Sequence, residues 1–560
     1  MVAQRCPCSI QWRKRKLTMP KITIDGKEIA FEGKPMILQI ALEHGLALPH
    51  YCYHPGLSIV ASCRICLAEV AQPNPRNDNK VELIPKLMPT CQTVAVDGMV
   101  VDTQSPKSAA NQKAVMEYLL INHPLDCPVC DQAGECSLQD YSYQYGRSES
   151  RFEEDKIKQP KKDMGSHVYL YADRCIMCSR CVRFTREVTG TAEIGVFGRG
   201  NMEQIDVFPG HALENELSGN VVDLCPVGAL LDKDFLFSQR VWFMSKTPSI
   251  DGITASGDNI SIEYNEGRVY RIKPRTNLAV NKWWISDEIR YGWKFIHAEQ
   301  RLRRPMRQLN GAPAPCDWSK ACETAAQALK QTVADQGSGS IALLVSPMLA
   351  CEEAYLLGKL ATALDKQAIL GLGPVPVEGQ DKTFPGGYKI YAEKCPNARG
   401  VKRALQRVAD DVLDYDAFLK EAASGASAVI VTGNYPAAWA AKNLIDVLKK
   451  KFVLLIDTLP NDLTDKADVV LPGATWAEKA GTFENASHRL QTFQPAIPVL
   501  EGSKPEGQIA LDLLAACGAA PKTIYDAARV RLEMADEFVT DVHQPQARQP
   551  KATDMELVEL

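Results

Sequence analysis

The spacing of apolar positions near the start of the chain predicts two short strands followed by a helix. Residues 21–24 and 27–31 alternate apolar and polar side chains around an Asp-Gly dipeptide, which is typical of a tight hairpin turn. Residues 35–44 have apolar side chains at helical spacing and are followed by Gly45, which favours the end of a helix. This order, with further strands after the helix, predicts a small β-grasp domain.

Beyond about residue 247 the pattern changes to alternating apolar strands and amphipathic helices. Such alternation predicts a parallel sheet covered by helices. The expected strands are residues 341–345, 428–431, 452–456 and 467–471, and the expected helices are residues 351–364 and 437–450. Before this region, a further helix is predicted over residues 105–122 and a charged linker over residues 147–164.

Composition and length are those of a folded protein with several domains. The chain has 560 residues, 45% of them apolar and 24% charged, which is too long for one hydrophobic core. Its formal net charge of −4 gives no support for a nucleic-acid binder. No apolar run approaches the roughly 18 residues of a membrane span, so no transmembrane segment is predicted.

The first 18 residues are basic and contain no acid. One reading is a mitochondrial transit peptide, since such leaders are rich in arginine and poor in acids. We favour the other reading, a start assigned too early with Met19 as the true start, because the segment has no clear apolar face. On that reading Cys6 and Cys8 have no role.

Twelve potential metal ligands form three groups of four between residues 52 and 225. Several lie in C-x-x-C spacings and no secretory leader precedes them, so metal-bound thiolates in a reducing compartment are favoured over disulfides. Four ligands per group match an iron–sulfur cluster. The groups are Cys52, Cys63, Cys66 and Cys91; His123, Cys127, Cys130 and Cys136; and Cys175, Cys178, Cys181 and Cys225.

The first group resembles the plant-type ferredoxin pattern with a longer first gap. Cys63 and Cys66 keep the C-x₂-C spacing, and Cys91 supplies the remote thiolate, although its spacing is the least diagnostic. Zinc at Cys63 and Cys66 is the alternative. The predicted β-grasp context favours a [2Fe–2S] cluster.

The second group combines a histidine with three cysteines. His123 lies four residues before Cys127, which begins a C-x₂-C-x₅-C run. A lone histidine is more often a packed or surface side chain, but no thiolate nearby competes for the fourth position here. A neutral imidazole in place of a thiolate makes the site less negative and should raise its reduction potential. His50, His54 and His167 are not expected to be ligands.

The third group follows the bacterial ferredoxin run C-x₂-C-x₂-C. Only one later Cys-Pro can complete it, Cys225-Pro226, within Cys225-Pro-Val-Gly-Ala. Cys175, Cys178 and Cys181 with Cys225 are therefore expected to hold one [4Fe–4S] cluster, and zinc is again the alternative.

These groups, in this order, resemble the large iron–sulfur subunit of respiratory complex I, which is called the G subunit in bacteria. The resemblance is close from about residue 19 to residue 240, and the His-Pro-Leu-Asp-Cys segment is its most specific part. It implies one [2Fe–2S] and two [4Fe–4S] clusters on the twelve ligands above. It also implies electrons that come from NADH through flavin on a partner subunit and leave towards quinone, coupled to proton translocation in the whole complex.

From Trp242 onward the chain resembles, more weakly, the molybdopterin oxidoreductase fold. The recognisable pieces are residues 467–473, Glu478 and residues 481–485. Isolated cysteines (Cys316, Cys322, Cys351, Cys395 and Cys517) lack the context of a molybdenum ligand, so a scaffold without molybdenum is expected. Residues 242–253 contain no cysteine, so the further cluster of some bacterial members is expected to be absent. A final molybdopterin subdomain is also expected to be missing.

The predicted fold class is therefore multidomain α+β and α/β. The expected segments are a leader (1–18), a β-grasp [2Fe–2S] domain (19–98), a His-Cys₃ [4Fe–4S] segment (99–146), a bacterial-ferredoxin-like [4Fe–4S] domain (147–241), a truncated molybdopterin-oxidoreductase-like domain without cofactor (242–520) and a polar, frayed tail (521–560).

The resemblance implies flavin-binding and iron–sulfur subunits of complex I as partners, with no independent active site on this chain. It implies a peripheral position on the cytoplasmic side of the bacterial inner membrane, or alternatively on the matrix side of the mitochondrial one. Other readings are the electron-transfer subunit of an NAD-linked hydrogenase, a formate dehydrogenase, an iron-only hydrogenase and a zinc-stabilised scaffold. The formate dehydrogenase and the iron-only hydrogenase would need cysteine motifs that the second half does not contain.

Overall fold

The structure is a computed structural model that describes residues 19–543. The predicted leader, with Cys6 and Cys8, and residues 544–560 of the predicted tail lie outside the described residues. The described chain forms two compact units. The first comprises residues 19–124 and 137–157, and the second comprises residues 125–136 and 158–543.

The first unit is a mixed sheet packed against helix α1. Its strand order is β2-β1-β6-β3-β4 with β5 beside β3, and only the β1–β6 pair is parallel among these. Its elements are β1 (Lys21–Ile24), β2 (Lys27–Ala30), α1 (Ile37–Glu43), β3 (Leu67–Asn74), β4 (Lys80–Leu83), β5 (Met88–Pro89), β6 (Met99–Asp102), α2 (Pro106–Leu120) and α3 (Ser137–Tyr145).

Local sequence explains why these elements form. Asp25 and Gly26 both have positive φ angles, 47° and 80°, as a two-residue hairpin turn between β1 and β2 requires. Alternating apolar residues of β1, β3 and β6 face the apolar side of α1 and form one buried core. Helix α2 starts after Ser105, whose hydroxyl accepts a hydrogen bond from the backbone N–H of Ser108 at 3.2 Å.

The second unit begins with small antiparallel sheets. The strand orders are β11-β8-β7, β9-β10 and β12-β13-β14. The elements are β7 (Lys161–Asp163), β8 (Val168–Tyr171), α4 (Arg180–Arg183), β9 (Ile194–Phe197), β10 (Gln204–Val207), α5 (Asn220–Leu224), β11 (Leu230–Asp232), β12 (Ser245–Ile250), β13 (Asn259–Asn265), β14 (Arg268–Pro274) and α6 (Asp287–Tyr291).

The rest of the second unit is built on a seven-stranded sheet of order β16-β15-β23-β22-β21-β17-β18. Strands β23 to β18 in this order are parallel, and β15 and β16 are antiparallel to their neighbours. The elements are β15 (Met306–Leu309), β16 (Ala312–Pro315), α7 (Trp318–Gln336), β17 (Ile341–Val345), α8 (Cys351–Leu364), β18 (Ile369–Leu372), β19 (Lys382–Thr383), β20 (Lys389–Ile390), α9 (Ala398–Leu405), α10 (Tyr415–Gly425), β21 (Ala428–Thr432), α11 (Lys442–Leu448), β22 (Phe452–Asp457), β23 (Val469–Pro472), β24 (Gly481–Glu484), β25 (Leu490–Phe493), α12 (Glu506–Ala516) and α13 (Ala527–Met534).

This large sheet is covered on both faces. Leu343 and Ile430 face a core that includes α7, α8 and α12, whereas Leu344 and Val431 face a core formed with α10 and α11. Because successive strand residues point to opposite faces, a strand buried on both sides is apolar throughout. The predicted parallel sheet covered by helices is therefore confirmed.

Two expectations about elements were wrong in part. The helix expected over residues 437–450 covers only Lys442–Leu448. Trp439 stacks on Tyr435 with ring centroids 5.0 Å apart and donates to a carboxylate oxygen of Asp457 at 2.9 Å, which holds the preceding residues in a loop. The expected fraying does not apply to α13, because Val530, Met534 and Phe538 are buried in the core of the large sheet.

The charged segment expected to be a linker contains the boundary between the two units, at residues 157 and 158. Its only regular element is the short strand β7. No helix within residues 19–543 is long and apolar enough to cross a membrane.

Candidate metal centres

The first group of cysteines comes together in the first unit, on loops between α1 and β6. Cys52 and Cys63 form one close pair, and Cys66 and Cys91 form another. The pKa of Cys52 is lowered because its thiolate accepts a hydrogen bond from the Cys63 thiol, and the pKa of Cys63 is raised by the same contact. The Cys66 and Cys91 thiols behave alike, with the pKa of Cys66 lowered and that of Cys91 raised. Four such thiols are a donor set that iron can bind.

Unusual backbone conformations shape the loop that holds this group. Ala61 and Arg64 have φ angles of 49° and 60°, in the left-handed region that non-glycine residues seldom adopt. The carbonyl of Arg64 accepts a hydrogen bond from the Asn111 side chain of α2 at 2.9 Å, and the carbonyl of Cys66 accepts one from the Thr90 hydroxyl at 2.9 Å. The loop is thus held by a neighbouring helix and by the segment that carries Cys91.

The third group surrounds a cavity in the second unit. Cys175, Cys178 and Cys181 come from the loop before α4 and from α4 itself, and Cys225 follows α5. All four line one cavity that is partly open to solvent. Burial raises the pKa of Cys175 to about 12 and that of Cys225 to about 11. Four thiolates in this place therefore need a cation to balance them, as a metal centre provides.

The loop of the third group also carries left-handed residues. Met177 and Ser179 have φ angles of 52° and 58°, and the N–H of Met177 lies 3.4 Å from the sulfur of Cys175. Helix α4 continues into a π-helical segment, Phe184–Thr189, a rare conformation found mostly at functional sites. The backbone is shaped to direct N–H groups at the sulfurs.

The three cysteines of the second group lie on one segment of the second unit. Cys127 starts a single 3₁₀ turn, Cys127–Val129, and is exposed, whereas Cys130 and Cys136 are buried. Burial raises the pKa of Cys130, which the nearby Arg174 partly offsets. His123 belongs to the first unit, so its role as the fourth ligand stays a prediction from the sequence.

The second and third groups adjoin each other within the second unit. Arg174, directly before Cys175, donates to a carboxylate oxygen of Asp126, directly before Cys127, at 2.8 Å. A side-chain carbon placed on Gly228 would overlap the sulfur of Cys130. Glycine therefore leaves room for a thiolate beside the loop that follows Cys225, which fits a metal centre at Cys130.

Within residues 19–543, no three His, Cys, Asp or Glu side chains are arranged around a single metal-ion position. A lone zinc ion places four ligands about 2.0–2.3 Å from one point. An iron–sulfur cluster distributes its four ligands over several iron atoms.

The five later cysteines lie outside the three ligand groups. Cys351 and Cys395 are fully buried, and Cys322 and Cys517 belong to the core around the large sheet. Burial raises the pKa of each of the five thiols (Cys316, Cys322, Cys351, Cys395 and Cys517).

Histidines not expected to be ligands have other contacts. His50 Nδ1 lies 2.9 Å from the carbonyl of Leu48, and His54 Nδ1 accepts a hydrogen bond from the N–H of Gly56 at 3.1 Å. His167 stacks on Tyr291 with ring centroids 4.1 Å apart.

In open parallel sheets, ligands bind beyond the carboxyl ends of the strands. Here the end of one strand, β22, is occupied by the chain's own side chains. Asp457, at the end of β22, accepts hydrogen bonds from the backbone N–H of Asn434 at 2.7 Å, from Trp439 and from Asn461. A side-chain carbon on Gly433 would overlap the same carboxylate. Both carboxylate oxygens of Asp457 therefore accept hydrogen bonds from groups of the same chain.

Comparison with known families gives matches along much of the chain. Residues 18–106 match a 2Fe-2S iron-sulfur cluster binding domain, and residues 112–151 match the NADH-ubiquinone oxidoreductase-G iron-sulfur binding region. Residues 165–231 match the ferredoxin-like domain of NADH-quinone oxidoreductase subunit 3. Residues 387–516 match molybdopterin oxidoreductase. Each predicted cluster group thus lies in or beside a matched iron–sulfur region.

Curated proteins give the same picture. The 78 kDa subunit of mitochondrial NADH-ubiquinone oxidoreductase of Neurospora crassa is 42% identical over 320 residues, which are 57% of this chain and 41% of that protein. The G subunit of NADH-quinone oxidoreductase from Rickettsia conorii is 39% identical over 56% of this chain and 45% of its own length. The chain is related to these large iron–sulfur subunits. The predicted resemblance is confirmed, and the aligned part spans about half the length of these relatives.

A third relative of the same kind is the 75 kDa subunit of NADH-ubiquinone oxidoreductase of Reclinomonas americana. It is 37% identical over 64% of this chain and 50% of its own length. Among solved structures, a chain of an NAD⁺-reducing [NiFe]-hydrogenase is 26% identical, with a TM-score of 0.34, over 40% of this chain and 91% of that chain.

Residues 244–294 match a further 4Fe-4S domain of NDSU1/NuoG-like proteins. This segment contains no cysteine. The match therefore identifies the kind of domain, whereas the residues that would hold a thiolate-bound cluster within it are absent from the sequence.

The sequence reasoning missed several residues that shape the sites. Gly228 lies within the Cys-Pro-Val-Gly-Ala motif, but its contact with Cys130 links segments that are far apart in sequence. The left-handed residues of the loops, such as Ala61 and Met177, could not be predicted from the sequence, because this conformation is expected mainly for glycine and asparagine.

Proposed function

We propose that this chain is an iron–sulfur electron-transfer subunit of NADH:quinone oxidoreductase, with one [2Fe–2S] and two [4Fe–4S] clusters. The ligands are Cys52, Cys63, Cys66 and Cys91 for the first; His123, Cys127, Cys130 and Cys136 for the second; and Cys175, Cys178, Cys181 and Cys225 for the third. When bound, such clusters accept and pass on single electrons.

The observation that carries this proposal is the third group. Cys175 and Cys225 are separated by fifty positions in the chain, yet both line one cavity with Cys178 and Cys181. Buried thiols with raised pKa values do not gather around a common cavity for packing alone, since thiolates there need cations. The relatedness to the large subunits of NADH-quinone oxidoreductase indicates that iron–sulfur clusters supply them.

The chain's own contribution is to place and shield the metal centres. The backbone N–H of Met177, a loop residue in a left-handed conformation, points at the sulfur of Cys175, and Arg174 pairs with Asp126 between the second and third groups. Hydrogen bonds to sulfur and nearby charges set cluster potentials. No residue of the chain acts as acid, base or nucleophile in this function.

The domain after residue 242 serves as a scaffold without molybdenum in this proposal. Four of its five cysteines are buried, and Asp457, at the carboxyl end of one parallel strand, is bound by the chain's own groups. The absence of cysteine from residues 244–294 supports three clusters rather than four.

Partners and location follow from the same function. The flavin-containing, NADH-oxidising subunit would supply electrons, and other iron–sulfur subunits would accept them on the way to quinone. The complex would lie on the cytoplasmic side of the bacterial inner membrane or the matrix side of the mitochondrial one.

The test is metal analysis and EPR spectroscopy of the reduced chain, purified without oxygen. We expect about ten iron atoms per chain, the sum of one [2Fe–2S] and two [4Fe–4S] clusters, with zinc and molybdenum near zero. Stoichiometric zinc without iron would establish the zinc-stabilised scaffold instead. Stoichiometric molybdenum would overturn the scaffold role of the second half, and a fourth cluster signal would overturn the cluster count.

A further inference from the structure

A cysteine-free domain contributes two cations to the region between two cluster sites. Strand β14 carries Arg271 and Lys273, which point to the same face because they are two residues apart. The neighbouring strand β13 supplies Glu263, whose carboxylate accepts from Arg271 at 2.7 Å. Residues 244–294 match a 4Fe–4S domain but contain no cysteine ligands. In their place, the segment carries charged side chains.

These cations meet carboxylates from two different cluster loops. Lys273 Nζ lies 3.3 Å from a carboxylate oxygen of Glu135, directly before Cys136. The same Nζ lies 3.5 Å from Asp223, two residues before Cys225. One ammonium therefore bridges the loop of the second group to the loop of the third, within the second unit.

The bridge is partly sheltered from water, so its charges act over distance. The side chain of Lys273 is 21% exposed, and those of Glu135 and Asp223 are 18% and 15% exposed. In such surroundings the effective dielectric constant is well below that of water, and unpaired charges change the energy of a nearby electron. Without cations, Glu135 and Asp223 would each disfavour adding an electron beside them.

We propose that Lys273 is a positioning residue that ties the loops of the second and third clusters together and raises the reduction potentials of both. This inference rests on the proposed function, because it presumes that the clusters are present. Its basis is the single ammonium shared by two carboxylates that lie one and two residues from ligand cysteines.

Removal of Lys273 should leave the fold intact. Glu135 keeps its pairing with Arg271 at 3.0 Å, and Asp223 keeps its pairing with Arg290 of α6. Each carboxylate therefore still has a cationic partner in the variant. The Lys273→Met variant therefore isolates the loss of one bridging charge.

The experiment is a redox titration of the full-length protein, monitored by EPR, with iron content measured on the same sample. In Lys273→Met we expect both [4Fe–4S] midpoint potentials to fall while about ten iron atoms remain. Lys273→Arg, which restores the charge, should bring both potentials most of the way back. The matched control is Lys504→Met, which removes a lysine paired with Asp512 at 2.6 Å in the large-sheet region and should move neither potential.

Two further variants test the same bridge by removing a negative charge instead of a positive one, so the potentials should shift in the opposite direction. Glu135→Gln should raise the potential of the second cluster more than that of the third, and Asp223→Asn should do the reverse. These variants keep side-chain length and one acceptor oxygen, so they decide the matter even if Lys273→Met loses iron. A mere packing role would not give shifts of opposite sign.

Unchanged potentials in Lys273→Met with full iron content would overturn the inference and leave the proposed function standing. Shifts of the wrong sign in the two carboxylate variants would overturn it as well. A wild-type chain without iron and without EPR signals would instead overturn the proposed function itself.

Discussion

Single residues decide whether each cluster site can exist. Gly228 is the sharpest case, since its missing side chain makes room for the sulfur of Cys130. It follows Cys225 by three residues, so one glycine serves two neighbouring sites at once. A glycine is needed there for space, because its φ angle is not in the left-handed region.

Gly228→Ala should therefore remove the second cluster. The added carbon overlaps Cys130, and we expect iron to fall from about ten to about six atoms per chain, the loss of one [4Fe–4S] cluster. The control is Gly358→Ala in α8, where the new carbon meets Val408 at 2.6 Å. That variant should lower the thermal midpoint of unfolding but keep its iron. Full iron in Gly228→Ala would contradict the proposed site at Cys130.

The fourth ligand of the second cluster can be tested by exchanging imidazole for thiolate. His123→Cys should keep the cluster but lower its midpoint potential, because a thiolate adds one negative charge to the site. EPR redox titration gives the potential directly. The exposed His211, replaced by cysteine in the same way, should leave the potential where it is. An unchanged potential in His123→Cys would remove His123 from the ligands.

At the scale of elements, the sequence predicted best where local pattern and tertiary packing agree. Strand β17 and helix α8 occur at the predicted residues, because apolar runs and helical periodicity are bounded there by polar residues. Helix α11 is shorter than predicted because Trp439, before its start, donates a hydrogen bond to Asp457 at the end of strand β22. Helix α13 was missed because it lies in a stretch that is polar as a whole, although only three of its own eight residues are charged.

The ligand groups were predicted for a similar reason, since their spacings are local. The side-chain contacts between the sites could not be predicted, because they join segments that are far apart in the sequence. Lys273 and Glu135 are 138 positions apart, and no local pattern connects them. Sequence reasoning therefore predicts donors for the metal centres but could not predict the charges around them.

A buried ion network joins elements of the large-sheet region. Lys479 is fully buried and pairs with Glu353 of α8 at 2.8 Å and with Glu506 of α12 at 2.5 Å. Removing one partner of such a network leaves uncompensated buried charge, which costs about 3–5 kcal/mol. The network thus links two of the helices that cover one face of the sheet, and breaking it should be costly.

Lys479→Met should lower the free energy of unfolding by about 3–5 kcal/mol near neutral pH, measured by urea unfolding followed with far-UV circular dichroism. The deficit should be smaller at pH 5 than at pH 8. Burial raises the pKa of Glu506 above its unfolded value. A group with a raised folded pKa contributes its stability below the unfolded pKa, about 4.3 for glutamate, and loses it as pH rises.

The control for this variant is again Lys504→Met, a partly exposed pair that should cost less than about 1 kcal/mol. A loss in Lys479→Met no larger than that of Lys504→Met would show that the buried network adds little. A deficit that grows towards acid would show that burial does not dominate at Glu506.

For the whole molecule, the division into two units separates the first cluster from the third. The first group lies entirely in the first unit, where Cys66 and Cys91 are part of its apolar core. The third lies entirely in the second unit, on loops fixed by contacts such as that of Arg180 with the carbonyl of Leu224 at 3.2 Å. Each of these two groups is built from residues of its own unit.

Iron should therefore be lost from these two sites independently. Cys66→Ala should remove about two of the ten iron atoms, Cys178→Ala about four, and the double variant about six, as one [2Fe–2S] and one [4Fe–4S] cluster require. Iron analysis of the purified chains measures this, and EPR shows which signal disappears. Cys322→Ala, a buried cysteine outside the groups, should keep all ten. Loss of the third-group signal in Cys66→Ala would contradict the independence of the sites, because a ligand of one unit would then be supporting a centre in the other.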